Sequence, residues 1–192
     1  METAIAFIGK DYVMFAGDAK VNFSIMVLTQ TDDKILELSP SCAIVGAGDP
    51  ADRPRFCDFI ARNVALLRYK NGFEYDTQTI ANFARTELAK SIRKAPFKVD
   101  SLIGGLDNGI PSLYYLDYLG TLQNVKHCAH GYGGFFSFSI FDNYWKPDMS
   151  IEEGKLLMKL CIYEVQKRLV INQNAFIVKI LDKNGLQKIN ID

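Results

Sequence analysis

Residues 1–20 read METAIAFIGKDYVMFAGDAK, and their patterning sets the architecture. Residues 3–8 and 12–17 are apolar and rich in strand formers, and Gly9-Lys10-Asp11 between them is a hairpin turn signal. Asp18 ends the second strand, and Lys34 follows sixteen residues later. An acid and a base placed at the ends of neighbouring strands can lower the pKa of a nucleophile beside them. The positions ahead of the first strand hold Met1 and Glu2, neither of which supplies a hydroxyl or thiol. The stretch therefore reads as the front of a catalytic site without its nucleophile.

Outward from this hairpin the strand pattern continues. A short strand is expected within 21–30, best placed at Ser24 to Leu28. A pair at 34–38 and 42–47 turns on Ser39-Pro40-Ser41. The period then changes. Phe56, Cys57, Ile60, Val64 and Leu67 share a helical face, closed by Asn71-Gly72. Asp76 caps a second helix carrying Ile80, Phe83, Ala84, Leu88 and Ile92, stopped by Pro96. Strands follow near 100–106, 112–117 and 121–125. The Gly131-Tyr132-Gly133-Gly134 loop leads into an aromatic helix that runs to about Tyr144. Ser150-Ile151-Glu152-Glu153 is a capping box for a long helix, whose apolar face is expected to hold Leu156, Leu157, Leu160, Cys161, Val165 and Leu169. Strands at 175–181 and 186–191 close the chain around Asp182-Lys183-Asn184-Gly185.

This order is strands, two helices, strands, two helices, strands. It lacks the β-α-β alternation of a doubly wound parallel sheet. The expected fold is α+β, one domain over 1–192, with two stacked antiparallel sheets flanked by helix pairs in a four-layer αββα sandwich. Sheets covered on both faces account for runs such as TAIAFI and AIVGA.

Composition narrows the function classes. Lys+Arg and Asp+Glu both number 22, so no basic excess favours nucleic acid. The four cysteines (Cys42, Cys57, Cys128 and Cys161) form no C-x-x-C pair and sit in apolar contexts, as buried free thiols in a reducing compartment do. His127 and His130 lack the cysteine spacing of a zinc site, so neither a metal nor another cofactor is expected. No apolar run spans a bilayer, and the first residues do not fit a signal peptide.

The hairpin ending in Gly17-Asp18, Lys34, Ser39-Pro40, Gly46-Ala47-Gly48, the stretch LIGGLDNGIPSLYYLDYLG, the AHGYGG loop and the DKNG turn together resemble the β subunits of the proteasome core, in the N-terminal-nucleophile hydrolase family. ELAKSIRK, LYYLDYLGTL, AHGYG and the Lys159–Arg168 stretch narrow the likeness to the family's non-catalytic beta-4 position (beta type-2 in another naming). In catalytic members an N-terminal threonine supplies a hydroxyl nucleophile and an α-amine base.

The likeness puts Glu2 on the threonine position. It makes Asp18 and Lys34 the acidic and basic partners, and Gly48 the backbone oxyanion donor. A serine of the Gly-rich loop is replaced by Tyr132, and an aspartate and a serine after the long helix by Leu169 and Asn172. No catalytic residue is then expected. Glu2, Asp18, Lys34, Gly48, Tyr132, Leu169 and Asn172 are vestigial positions, with Asp18 and Lys34 a structural ion pair joining two strands. Thr3 is an ordinary strand residue, and His130 is expected to hydrogen-bond the loop before the Gly-rich helix start.

The resemblance implies a non-catalytic structural subunit within ATP- and ubiquitin-dependent protein degradation in cytoplasm and nucleus. Its partners would be adjacent β subunits, the α ring and the opposite β ring in a hetero-oligomer of 28 subunits, with Phe97, Tyr144 and Trp145 as exposed contact residues. It implies no nucleic acid and no membrane. The rival readings are a threonine endopeptidase that cuts itself before Thr3, and a stand-alone homo-oligomer.

Overall fold

A computed structural model describes residues 2–23, 26–171 and 173–191. The first strands are β1 (Ala4–Ile8) and β2 (Val13–Asp18), followed by β3 (Val21–Phe23), β4 (Met26–Thr29), β5 (Ile35–Ser39) and β6 (Cys42–Gly48). Helices α1 (Asp52–Asn71) and α2 (Thr77–Ser91) come next, then β7 (Val99–Asp107), β8 (Ile110–Leu116), β9 (Leu122–Val125) and β10 (His127–His130). Helices α3 (Tyr132–Tyr144) and α4 (Ile151–Arg168) lead to β11 (Phe176–Asp182) and β12 (Gly185–Ile189).

Ten of these strands form two antiparallel sheets, ordered β10-β1-β2-β11-β12 and β5-β6-β7-β8-β9, while β3 and β4 make a separate hairpin. Strand periodicity explains how each sheet is covered on both sides. Ala4, Ala6, Val13 and Phe15 join Ile35, Ala43, Val45, Leu102 and Leu113 in a core drawn from both sheets. Their neighbours Ile5, Phe7, Met14 and Ala16 point the other way, into a second core with Phe141 of α3 and Leu157, Met158, Cys161 and Ile162 of α4. A third core joins Ile44 and Ile103 to Phe56 and Ile60 of α1 and Ile80 and Leu88 of α2.

Local signals place the helix ends. Asp76 Oδ1 accepts the Thr79 N–H at 2.8 Å at the start of α2, and Gly72 closes α1 in the left-handed conformation. The Ser150–Glu153 capping box is formed in both directions at the start of α4. Tyr12 ties the first hairpin turn to this helix, its hydroxyl donating to the Ser150 carbonyl at 3.0 Å.

Several expectations need correction. Residues 21–30 hold a two-strand hairpin rather than one strand, and Ser24 and Ile25 lie outside the described residues. The segment 127–130, expected as part of a loop, is a strand that pairs with β1 from Ala4↔His130 to Phe7↔His127. On α4, Leu156 and Leu160 are exposed, while Met158 and Ile162 are buried instead. The true buried stripe is shifted by about one residue, because α4 meets its sheet along the 154–158–161–165 line. Tyr144 is exposed, but Phe97 and Trp145 are only partly so. Phe97 packs against Phe56, and the Trp145 indole donates to the Ile8 carbonyl at 3.1 Å.

The two sheets approach closely at Gly104 of β7, where an added Cβ would lie 2.8 Å from both Phe15 Cζ and Val13 Cγ1 on the opposite sheet. Gly104→Ala should therefore destabilise the fold by about 1–3 kcal/mol through overpacking. In a urea-denaturation cycle, its cost in a Phe15→Leu background should be smaller than in the wild type, because the two sites share the same space.

Candidate functional site

The polar cluster sits where the two sheets meet at the ends of β2, β5 and β6. Asp18 is the last residue of β2, and Lys34 directly precedes β5. Both side chains are essentially without solvent contact. The two oxygens of Asp18 have separate tasks: Oδ1 accepts the Thr3 N–H at 2.7 Å, and Oδ2 accepts from Lys34 Nζ at 2.9 Å. Lys34 also donates to the Lys20 carbonyl at 2.9 Å and lies 3.2 Å from Glu2 Oε1. Two of its three donors are used by Asp18 and Lys20, and Glu2 adds an ion-pair contact.

Glu2 completes the arrangement. Its Oε2 accepts the Gly48 N–H at 3.0 Å. Arg53 Nε, from the first turn of α1, lies 3.2 Å from Oε1 and 3.1 Å from Oε2. Arg53 continues outward to Asp32, with Nη2 2.6 Å from Oδ2. The result is an alternating chain of charges: Asp18, Lys34, Glu2, Arg53, Asp32. Each buried charge has an opposite neighbour, which is the condition under which burial is tolerated.

The backbone around the cluster is held by close approaches. A side chain at Gly48 would run into the Lys98 carbonyl at the start of β7. Gly131, with φ of 79°, turns the chain from β10 into α3, and any Cβ there would collide with the Glu2 carbonyl. Gly133 lies directly against the Thr3 side chain. Residues 132–134, expected as a loop, are the first turn of α3, and this turn closes over residues 2 and 3.

This geometry removes the elements of a hydroxyl nucleophile. The Thr3 nitrogen is a peptide N–H already given to Asp18, so it has no lone pair to act as a base. Its hydroxyl is fully buried, and among the described residues it has no hydrogen-bond partner. Lys34 Nζ is turned to Asp18, the Lys20 carbonyl and the Glu2 carboxylate. The Gly48 N–H is held by a carboxylate from the same chain. Burial pushes the thiols of Cys57 and Cys161 up to about 12 and that of Cys128 up to about 11, so none is a thiolate at neutral pH. Among the described residues no group of three His, Cys, Asp or Glu side chains converges as a metal site would require, and no helix is long and apolar enough to cross a membrane.

The remaining expected positions are scattered. Tyr132 opens α3 with its side chain half exposed. Leu169 caps α4, its N–H donating to the Val165 carbonyl at 2.9 Å, and it contributes nothing to the polar cluster. Asn172 lies outside the described residues. The sequence reading missed Arg53 and Asp32 as members of the cluster. An arginine in the first turn of a helix resembles any solvated charge, and only its spacing after Gly48 offered a clue.

Among the described residues His130 makes no hydrogen bond to the loop before α3, contrary to expectation. Its Nε2 lies 3.2 Å from the Ser101 carbonyl of β7, and its ring stacks on Tyr115 of β8 with centroids 4.5 Å apart, so it links the two sheets. His127 is wedged between Phe141 and Trp145. Burial lowers the pKa of His130, outweighing the nearby Asp100, and burial likewise lowers that of His127 against Asp142.

Comparison with known proteins fits this layout. The family model described as proteasome subunit matches residues 1–181. The chain is 41% identical to the proteasome subunit beta type-4 of Saccharomyces cerevisiae, over 94% of this chain and 93% of that protein. It is 38% identical to the proteasome subunit beta type-2-B of Arabidopsis thaliana, over 98% and 95%. It is also 37% identical to the probable proteasome subunit beta type-4 of Schizosaccharomyces pombe, over the full length of both.

Lys34→Met would strand Asp18 and Glu2 as buried, under-compensated carboxylates and should cost about 3–5 kcal/mol in urea denaturation. Adding Asp18→Asn to it should cost less than the sum of the two single changes. The histidines predict a separate pH dependence. Their folded pKa values are depressed, so the unfolded chain binds more protons. Stability is then full above the unfolded value of about 6.5 and is lost as pH falls through the folded values. Denaturation midpoints should fall between roughly pH 7.5 and pH 5.5, and His130→Asn should remove part of that slope.

Proposed function

The chain belongs to the proteasome subunit family, and on that premise we propose that it is a non-catalytic structural β subunit of the 20S core particle. The observation that carries this reading is the Glu2 carboxylate, which occupies both the Gly48 N–H and the inner face of Lys34. On this reading, among the described residues of the cluster, the Thr3 N–H and the Gly48 N–H are both committed to carboxylates. Its contribution is positional: it fills one place in a seven-membered β ring, keeps its neighbours in register and helps wall the proteolytic chamber.

On this reading its partners are the adjacent β subunits, the α ring above and the opposite β ring, in a particle of 28 subunits. It serves ATP- and ubiquitin-dependent degradation in cytoplasm and nucleus. The three cores support a four-layer order of helices, sheet, sheet and helices, and a single domain over 1–192. The beta type-4 and beta type-2 names of its relatives support a place at the non-catalytic beta-4 position.

The rival threonine endopeptidase with Thr3 as nucleophile finds no support in the geometry. The Thr3 peptide nitrogen is committed to Asp18, and its hydroxyl is sealed under Gly133.

Native mass spectrometry of the complex that contains this chain, after treatment with an epoxyketone inhibitor, tests the proposal. The chain should be found inside a multi-subunit particle, uncut before Thr3 and without adduct, while other β subunits take up the inhibitor. An adduct on this chain, or a mature form beginning at Thr3, would show that it is catalytic.

A further inference from the structure

The donors around Glu2 form a receptor for a carboxylate group that is separable from the residue filling it. Lys34 Nζ and Arg53 Nε address Oε1 at 3.2 Å each, while the Gly48 N–H at 3.0 Å and Arg53 Nε at 3.1 Å address Oε2. The two oxygens share Arg53 and differ in their second partner, and the donors are set on three elements: the start of β5, the end of β6 and the first turn of α1. Two of the donors are cationic, and the Lys34 and Arg53 side chains are almost wholly buried. Charge-assisted hydrogen bonds in such surroundings are stronger than exposed ones.

Each donor of the cradle has an anchor other than Glu2. Lys34 is held by Asp18 and the Lys20 carbonyl, Arg53 by Asp32, and Gly48 by its register with Val99 on β7. Removing the Glu2 carboxylate should therefore leave preset donors facing a polar void. Replacing Glu2 by Ala removes the same heavy atoms that make up acetate.

We infer that the Lys34–Arg53–Gly48 cradle is a binding site for small monocarboxylates, occupied in cis by Glu2, and that free acetate or formate takes the same donors once the Glu2 side chain is removed. This rests on the reading of Glu2 as the group that closes the vestigial site, and it gives that closure a chemical form. A carboxylate on the Gly48 N–H is a standing mimic of the oxyanion that a catalytic relative would stabilise there. The wild-type site is then blocked by an internal ligand and not merely by lack of a nucleophile.

The test uses the full-length chain with a free N-terminal segment, as wild type, Glu2→Ala and Glu2→Gln. Thermal unfolding is followed in sodium acetate, formate, propionate, chloride and sulfate at matched ionic strength. Ligand that binds only the folded state raises its midpoint with a saturating concentration dependence. For Glu2→Ala, acetate and formate should raise Tm by roughly 2–4 °C over chloride for each kcal/mol of linkage in a chain of this size. Propionate and sulfate, too long and too large for the space, should do less.

Wild type and Glu2→Gln, whose cradles remain filled, should show no carboxylate-specific shift. If Glu2→Ala folds only in acetate, the recovered folded yield is the same result in another form. An equal response in wild type, no response in Glu2→Ala, or failure of Glu2→Ala to fold in every salt would overturn the inference. An inhibitor adduct on the wild-type chain would instead overturn the non-catalytic reading, so the two failures are distinguishable.

Discussion

The buried ammonium of Lys34 is the constraint around which the two sheets are arranged. It takes oxygens from Asp18 at the end of β2, from the Lys20 backbone and from Glu2 ahead of β1. Lys34 itself leads into β5 of the other sheet. A charge with no solvent contact costs several kcal/mol unless every donor is satisfied. The first hairpin, the chain start and the second sheet must therefore meet in one register. Arg53 extends the same requirement to α1, and Gly131 and Gly133 let the start of α3 close over it.

Such a network adds little net stability compared with a well-packed apolar core, because desolvation offsets much of the attraction. Its effect is to penalise incomplete arrangements. The same network bears on the proposed non-catalytic role. A lysine activates a hydroxyl only if it has a donor to offer, and an oxyanion donor acts only if it is vacant. Here the acidic side chain at residue 2 accepts the Gly48 N–H and pairs with Lys34 at 3.2 Å, so a scaffold that resembles a hydrolytic site is occupied from within.

Much of the fold was legible from local signals. The Gly9-Lys10-Asp11 turn, the Asp76 cap, the Asn71-Gly72 stop and the Ser150–Glu153 box each act within a few residues, so their meaning does not depend on distant partners. The segment 127–130 was not legible. His-Cys-Ala-His is a poor strand by composition and becomes one only because β1 offers an unpaired edge. The buried stripe of α4 was displaced for a related reason. Leu156, Leu157, Leu160 and Cys161 make a plausible apolar face, but the sheet beneath selects Leu157, Met158, Cys161 and Ile162.

At the site, the sequence by itself determined the residue types: an acid at 18, a base at 34, a glycine at 48 and a carboxylate at 2 where a hydroxyl would be needed. Resemblance assigned those positions to a family, and alternation of apolar residues determined that both faces of the sheets would be covered. Tertiary structure alone decided that Asp18 and Lys34 touch, that Glu2 turns inward to take the Gly48 N–H, and that Arg53 joins them from α1. The physical reason is range. Turns, caps and strand alternation are properties of adjacent residues, whereas the partner of a buried charge is set by whichever distant segments the packed sheets bring within about 3 Å.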